Sequence, residues 1–312
     1  MISSIFGKTK PINFIILAAF LLSFYVFVQW GVLVQGTGSW SFFIVALSLA
    51  LLLFSLFVVD FIVKRNKLTE NNSYAILFFC LLIVLAPEVL ASPNNVFCHL
   101  FLLFALRRII SLRSLKEVKL KVFDATFWVL VSSLFNPLSL VFLLLVLVSI
   151  AIFEPKNIRN WLSMLPAFVS FLLMLLAATY FFGSPGFVGE HYHFGHLLEL
   201  EFNWGMGRFV KLGLFVAVAV FLVLFSFLRN ARTGVGKILS YRLLTMVVML
   251  GLFMVLLAPS EGNGALLITF FPITVFATNA IEAIKREKMR EAVLVGCVLG
   301  SFLTFVITAI LV

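Results

Sequence analysis

Apolar runs follow one another along nearly the whole chain, separated by short segments carrying Lys, Arg, Pro, Gly or Asn. A helix needs about 20 apolar residues to cross the hydrocarbon core of a bilayer, and runs approaching or exceeding that length predict about 11 transmembrane helices. They cover 11–34, 41–63, 74–91, 95–110, 122–135, 138–153, 162–182, 208–228, 241–259, 264–284 and 292–312. The connections are short, the longest lying between Gly183 and Gly207. No soluble domain fits in any of them, so residues 1–312 read as a single integral membrane domain. The expected fold is an all-α polytopic membrane protein.

Composition supports that pattern and removes the other classes. Of the 312 residues 63% are hydrophobic and 12% charged, with a mean hydropathy of +1.18. A soluble domain runs nearer half apolar and about a quarter charged. Soluble, disordered, collagen-like and disulfide-stapled chains are thereby excluded. The net charge of +10 is the first sign one looks for in a nucleic-acid binder, but its distribution says otherwise. With a cytoplasmic N-terminus, strict alternation of sides puts 21 of the 23 basic residues on the inside. Lys and Arg accumulate in cytoplasmic loops, so the charge reports orientation, with the C-terminus extracytoplasmic and no nucleic-acid partner. Only Arg208 and Lys211 fall outside.

The localisation that follows is a multi-pass protein of a bacterial inner (cytoplasmic) membrane. Lys8 and Lys10 before the first run resemble a signal peptide, yet the run is too long for a typical h-region and lacks a small-residue cleavage site. An uncleaved first helix is expected. Some runs are short: 95–110 gives about 24 Å of helix and 122–135 about 21 Å, against a core of about 30 Å. The hairpins 74–110 and 122–153 therefore either span fully or re-enter, with turns near Pro87 to Asn95 and at Asn136 and Pro137. Non-helical backbone at that depth needs a cover of protein or a water-filled cavity. Cys80, Cys98 and Cys297 each sit inside an apolar run and read as small buried hydrophobes.

Charges near the inner boundary have a local reading. Asp60 with Lys64, Glu117 with Lys121 and Glu282 with Arg286 are each four apart, which places each pair on one helix face. Arg107 and Arg108 are placed to snorkel to inner headgroups, with anionic lipid binding as the alternative.

The outer side is poor in basic residues but holds every histidine and several carboxylates. Glu88, Asn94 and Asn95 occupy the turn after the third run and His99 begins the fourth. An ionisable group near hydrocarbon is costly and a functional candidate; the alternative is that Glu88 reaches outer water and Asn94 caps the next helix. A second turn, Leu257-Ala258-Pro259-Ser260-Glu261, resembles Leu85-Ala86-Pro87-Glu88, either through a distant internal repeat, as in transporters, or by chance. In the longest loop His191, His193 and His196 with Glu190 or Glu199 could ligate a divalent ion. Their spacing matches no specific metal motif, and an interfacial loop anchored by Tyr192 and Trp204 competes with that reading, so no metal is assigned. Arg208 and Lys211 either pair with Glu201 and Glu199 or face a phosphate, for which the planar Arg fork is suited. No nucleotide-binding G-x-x-x-x-G-K-[ST], H-E-x-x-H or G-x-S-x-G pattern is present. Nothing in the sequence identifies a cofactor.

The opening segment from Met1 to Phe14, the Ser92-Pro93-Asn94 turn and the apolar stretch ending Leu106-Arg107-Arg108 resemble an uncharacterised family of flavobacterial polytopic inner-membrane proteins, over the whole length. That family transfers no activity. A more distant similarity is to the GT-C class of membrane glycosyltransferases, which act on polyprenyl-phosphate sugars outside the membrane. The similarity implies a lipid-linked substrate, but those enzymes carry an acidic pair in the first outer loop, and 34–40 has none. Catalysis would then fall to Glu88, Glu190 or Glu261.

Three functional expectations result. The first is an envelope-biogenesis protein that binds or transfers a polyprenyl-phosphate-linked sugar. In it Glu88 or Glu190 is the acid/base, Asn94, Asn95, His99, His193 and Glu261 are polar contacts, and Arg208 and Lys211 form the phosphate clamp. The second is a non-catalytic subunit packed against membrane-protein partners and lipid. The third, a secondary transporter, requires ionisable residues deep in several spans, and these are scarce.

Overall fold

Hydrocarbon leaves a backbone one economical way to pair its N–H and C=O groups, which is to coil on itself. The computed structural model describes residues 2–34, 40–181, 183, 186–193, 206–230, 234–257 and 264–311, and every regular element among them is helical. In order these are α1 (Ile2–Phe6), α2 (Pro11–Val34), α3 (Phe42–Arg65), α4 (Tyr74–Leu85), α5 (Pro93–Ser111) and α6 (Val118–Ser132). Then come α7 (Leu143–Phe153), α8 (Ile158–Leu162), α9 (Met164–Phe181) and α10 (Phe187–His191). The last four are α11 (Met206–Asn230), α12 (Val235–Leu257), α13 (Leu267–Glu282) and α14 (Glu287–Leu311).

Eight helical stretches are long and apolar enough to cross a membrane: those containing α2, α3, α5, α9, α11, α12, α13 and α14. The fourth sequence run proves longer than its apolar letters, because Pro93 opens the helix and a 3-10 turn carries it to Ser114, 22 residues in all. Three of the eleven runs do not reach that length. The α4 helix has 12 residues before Pro87 forces a 3-10 turn over Pro87–Leu90. The α6 helix has 15. The stretch Pro137–Phe153 begins as a 3-10 turn, with the Asn136 side chain accepting from the Leu138 N–H.

Long-range hydrogen bonds gather the connections at two ends of the bundle. At one end the Ile2 and Ser3 N–H groups donate to Glu291 at 2.7 and 2.9 Å. Asn13 donates to Ser73 at 3.1 Å, and Glu282 accepts from the Glu70 N–H and from Asn72. Lys8, Lys10, Lys67, Lys285 and Arg286 lie in these connections, and Lys64, Arg65, Lys288 and Arg290 at the helix ends beside them. At the other end Gln29 donates to the Leu90 carbonyl, and His191 and Tyr192 contact Ser133. Exposed Trp30, Phe42 and Tyr180 also cluster toward that end, a distribution that matches the aromatic belt of a membrane interface.

The centre of the bundle is α13, in which every residue from Leu267 to Asn279 is buried. It is packed by α4, α11, α12 and α5. Its buried threonines donate to their own helix: Thr269 to Leu266, Thr274 to Phe271 and Thr278 to Thr274, each at 2.7 Å. Asn279 looks outward to its neighbours. The Tyr241 hydroxyl of α12 lies 3.0 Å from both the Asn279 Oδ1 and the Leu68 carbonyl, and Arg229 of α11 donates to the Asn279 carbonyl. The Asn279 side chain thus ties α13 to α12 and the loop after α3, and its main-chain carbonyl ties α13 to α11.

The local ion pairing expected at the basic end holds for Asp60 and Lys64, at 2.6 Å. It does not hold for the other two pairs. Lys121 turns back to the Ser111 carbonyl and the Ser114 hydroxyl, both in the turn before α6. Glu282 is taken by Glu70 and Asn72 because the loop after α3 folds over the end of α13. Arg108 has a partner that spacing alone did not offer, Asp124 on α6 at 2.6 Å. The expected Asn94 cap is not formed: Ser92 occupies the N-cap position of α5 without a side-chain capping bond, Pro93 opens the helix, and Asn94 lies in its first turn.

The tie at Asn279 is testable. Interhelical hydrogen bonds in membranes average about 0.6 kcal/mol and reach about 1.7, so Tyr241→Phe should lower stability by about 1 kcal/mol. In a double-mutant cycle with Asn279→Ala the two losses should be less than additive, as read from denaturation of the detergent-solubilised protein.

Candidate functional site

Where α4, α11, α13 and α14 meet, small residues face one another. Ala277, Ala280, Gly300 and Ser301 leave a space that Leu or Phe would fill, and a Cβ built on Gly300 would meet no atom within 4 Å. The result is a groove of about 620 Å³, walled largely by apolar side chains such as Phe78, Leu81, Phe221 and Phe225. A narrower cavity of about 200 Å³ adjoins it, sharing Leu82, Leu85, Val218, Ile273 and Thr304. That second space carries the lining towards Glu88 and Lys211. An apolar channel therefore ends in a charged mouth.

The mouth is built by the break in α4. Pro87 has no N–H to donate and restricts the residue before it; Ala86 leaves the helix, and the following 3-10 turn presents Glu88. One Glu88 oxygen lies 3.9 Å from the Lys211 ammonium, and both side chains remain about one-third to two-fifths exposed. At that distance and exposure it is a loose, solvent-facing ion pair. Arg208 precedes Lys211 by three positions on α11, so its backbone is on the same side of that helix; its side chain lies outside the described residues.

Other expected site residues lie around or away from this mouth. Asn95 donates to the Val89 carbonyl at 3.2 Å, and its amide is packed against Gly264 so closely that a Cβ there would sit 2.2 Å from it. The turn after α4 and the 3-10 turn Gly264–Leu266 are thus neighbours. The second of the two similar turns, Leu257 to Glu261, precedes Gly264, and from Ala258 to Glu261 it lies outside the described residues. Asn94 is only partly buried in the first turn of α5. His99 is buried, 1% exposed, and stacks on Phe79 with centroids 5.6 Å apart. It is not among the residues lining the groove.

Glu190 and His193 belong to a different neighbourhood. Phe187 and Tyr192 pack against Leu130, Val131, Phe171 and Leu175 of α6 and α9. His191 contacts the Ser133 carbonyl at 2.8 Å and stacks on Phe187. The Tyr192 hydroxyl meets Ser133 at 2.8 Å, and burial pushes its phenol pKa up, opposed by that hydrogen bond. The Glu190 and His193 side chains are exposed beside this anchor. His196, Glu199, Glu201 and Trp204 lie outside the described residues. Among the described residues no group of three His, Cys, Asp or Glu could hold a metal ion.

Sequence reasoning missed Gln29, which donates to the Leu90 carbonyl at 2.7 Å and so fixes the turn that carries Glu88. A glutamine inside an otherwise apolar run was the available signal. It also missed the groove, because small residues on separate helices carry no mark of their facing one another.

A family model described as a family of unknown function (DUF6427) matches residues 10–311, and the chain belongs to that family. No curated protein and no solved structure matches it.

An ion pair this open contributes little to folding, about 0 to 1 kcal/mol. Lys211→Met should therefore leave the melting temperature in detergent nearly unchanged. A loss comparable to that of a core deletion would make Lys211 a structural residue.

Proposed function

We propose that this DUF6427 member is an envelope-biogenesis protein that holds a polyprenyl-phosphate-linked substrate. The hydrocarbon chain would occupy the groove between α4, α11, α13 and α14, and the phosphate would sit beside Lys211. The observation that supports this most is that the apolar groove adjoins a mouth lined, among the described residues, by Lys211 and Glu88. Ligand sites of about 300–1,000 Å³ with few polar groups are the ordinary form of a small-molecule pocket, and the larger cavity is about 620 Å³. Arg208 would complete the clamp from α11. If the bound sugar is transferred, Glu88 is the group placed to act as acid or base. Glu190, anchored near α6 and α9, would serve from the loop.

The same reading has eleven crossings, an N-terminus in the cytoplasm and a mouth on the outer side of a bacterial inner membrane. It is supported by the short segments α4 with its 3-10 turn, α6 and Pro137–Phe153, whose ends contact opposite ends of the bundle. Ser73 meets Phe6 while Leu90 meets Gln29, and Lys121 meets Ser111 while Ser133 meets Tyr192. Covered by their neighbours, such short elements need not match the full hydrocarbon thickness.

Two measurements test this proposal. Gly300→Trp should fill the groove and reduce polyprenyl phosphate retained by the purified protein, read by native mass spectrometry. Gly31→Trp, on α2 where a Cβ also meets no atom within 4 Å, should not. Equal retention in both variants would contradict the groove as the lipid site. A periplasmic-activity reporter fused after Val312 should be active, and an active reporter at Lys10 would reverse the orientation. If lipid is retained but no sugar is transferred with Glu88 intact, the protein is a binding subunit.

A further inference from the structure

At the opposite end of the bundle from Glu88, the ends of α3 and α5, the turn Leu112–Ser114 and the start of α6 enclose a pocket of about 410 Å³. Arg65, Arg107, Arg108, Arg113 and Lys121 line it, together with Phe61. We infer that this pocket binds a doubly charged phosphate group, a phosphomonoester or a diphosphate, presented by a lipid headgroup or free in solution. The inference does not depend on the proposed lipid groove.

Several cations are held in place before any ligand arrives. The Arg107 guanidinium lies 4.6 Å from the centroid of the Phe61 ring, a cation–π contact that orients its plane. Lys121 donates at 2.8 Å to the Ser111 carbonyl and at 2.6 Å to Ser114, which leaves one ammonium proton for a ligand. Arg113 is pressed against the start of α12, where a Cβ on Gly236 would come within 2.8 Å of its Cδ. Arg108 is anchored by Asp124 at 2.6 Å. Asp124 stands beside Arg107 and Arg108, and Glu117 beside Lys121; among the described residues five cations and no carboxylate line the pocket itself.

A general preference for basic residues on the cytoplasmic side does not account for this arrangement. That preference counts charges on a side and is indifferent to where they point. Lys116 is exposed on the same connection and is not among the residues lining the pocket, while Lys119 lines a separate depression with Glu117 and Glu154. Four guanidinium forks converging on one volume repel each other unless an anion shares it, and planar forks pair with phosphate oxygens in a way an ammonium cannot. The half-exposed Phe61 ring at the rim is suited to contact acyl chain if the phosphate is a headgroup.

The test uses the full-length protein in detergent or nanodiscs, with pyrophosphate and phosphatidic acid as probes and phosphatidylcholine as the neutral reference. Pyrophosphate should raise the melting temperature above that in sodium chloride of equal ionic strength, or phosphatidic acid should be retained over phosphatidylcholine. Only the first result assigns a soluble phosphate. Only the second, with no competition by pyrophosphate, assigns a headgroup. The double variant Arg65→Gln with Arg107→Gln should weaken binding about tenfold, the scale of a lost charge-assisted fork. Lys116→Gln with Lys119→Gln removes the same charge and should change it by less than about threefold. Should the arginine variant not fold, whichever probe binds, pyrophosphate or phosphatidic acid, must protect Arg65, Arg107 and Arg113 of the wild-type protein from phenylglyoxal. Absence of binding by both probes, equal losses in the two double variants, or no protection would each overturn the inference.

Discussion

Hydrocarbon offers a buried polar group nothing to bond with, and α13 shows how this protein meets that condition. Surrounded on all sides, the helix carries Thr269, Thr274, Thr278 and Asn279 into the core. The three threonines return their hydroxyls to carbonyls of their own helix, so they ask nothing of the neighbours. The Asn279 amide donates to Val275 of its own helix and to the Leu68 carbonyl and accepts from Tyr241, while its main-chain carbonyl accepts from Arg229. The placing of α12 and of the loop after α3 around the central helix rests on that side chain, and α11 is tied at the same residue through its backbone. The same requirement accounts for the short elements: the turns at Pro87 and Pro137 expose backbone that only surrounding protein can cover.

With α13 fixed at its basic end by polar contacts, its flank toward α4, α11 and α14 is mostly apolar. Apart from Ser301 and Thr304, the described residues lining it are hydrophobic or glycine, and packing contributes most to the spacing of the helices there. Ala277, Ala280 and Gly300 leave the space unfilled. The groove and the polar tie are thus complementary features of one helix. One end is fastened by polar contacts at Asn279, and the flank above it borders an open apolar groove. Charge is partitioned in the same sense, with the arginine-lined pocket at the tied end and the Glu88 and Lys211 pair at the groove's mouth.

The helical class and most segment positions were legible in the sequence because each is a local property: a run of apolar residues long enough, bounded by Pro or charge. The three shorter runs were legible as short, and Pro93 lengthened a fourth beyond its apolar letters. Contacts between distant segments were not legible. Spacing of four residues predicted Glu117 with Lys121 and Glu282 with Arg286, yet Ser111, Ser114, Glu70 and Asn72 are the partners, supplied by loops whose folding the spacing does not encode. The candidate site was half legible. An acid and a cation beside apolar runs marked Glu88 and Lys211, and the structure brings them to one mouth, whereas Glu190 and His193 are set beside the Ser133 turn and His99 lies in the core against Phe79. The groove depends on Gly300 and Ala277 facing across helices, and no local pattern records that.

If the groove holds a lipid chain whose polar end meets Lys211 and Glu88, the chain is visible in a cryo-electron-microscopy map of the full-length protein in nanodiscs of bacterial lipid supplemented with polyprenyl phosphate. Elongated density is expected from Gly300 past Val218 to a head beside Lys211. A well-resolved map in which α11 and α14 close together over Gly300, with the lipid confined to the outer surface of the bundle, would contradict it.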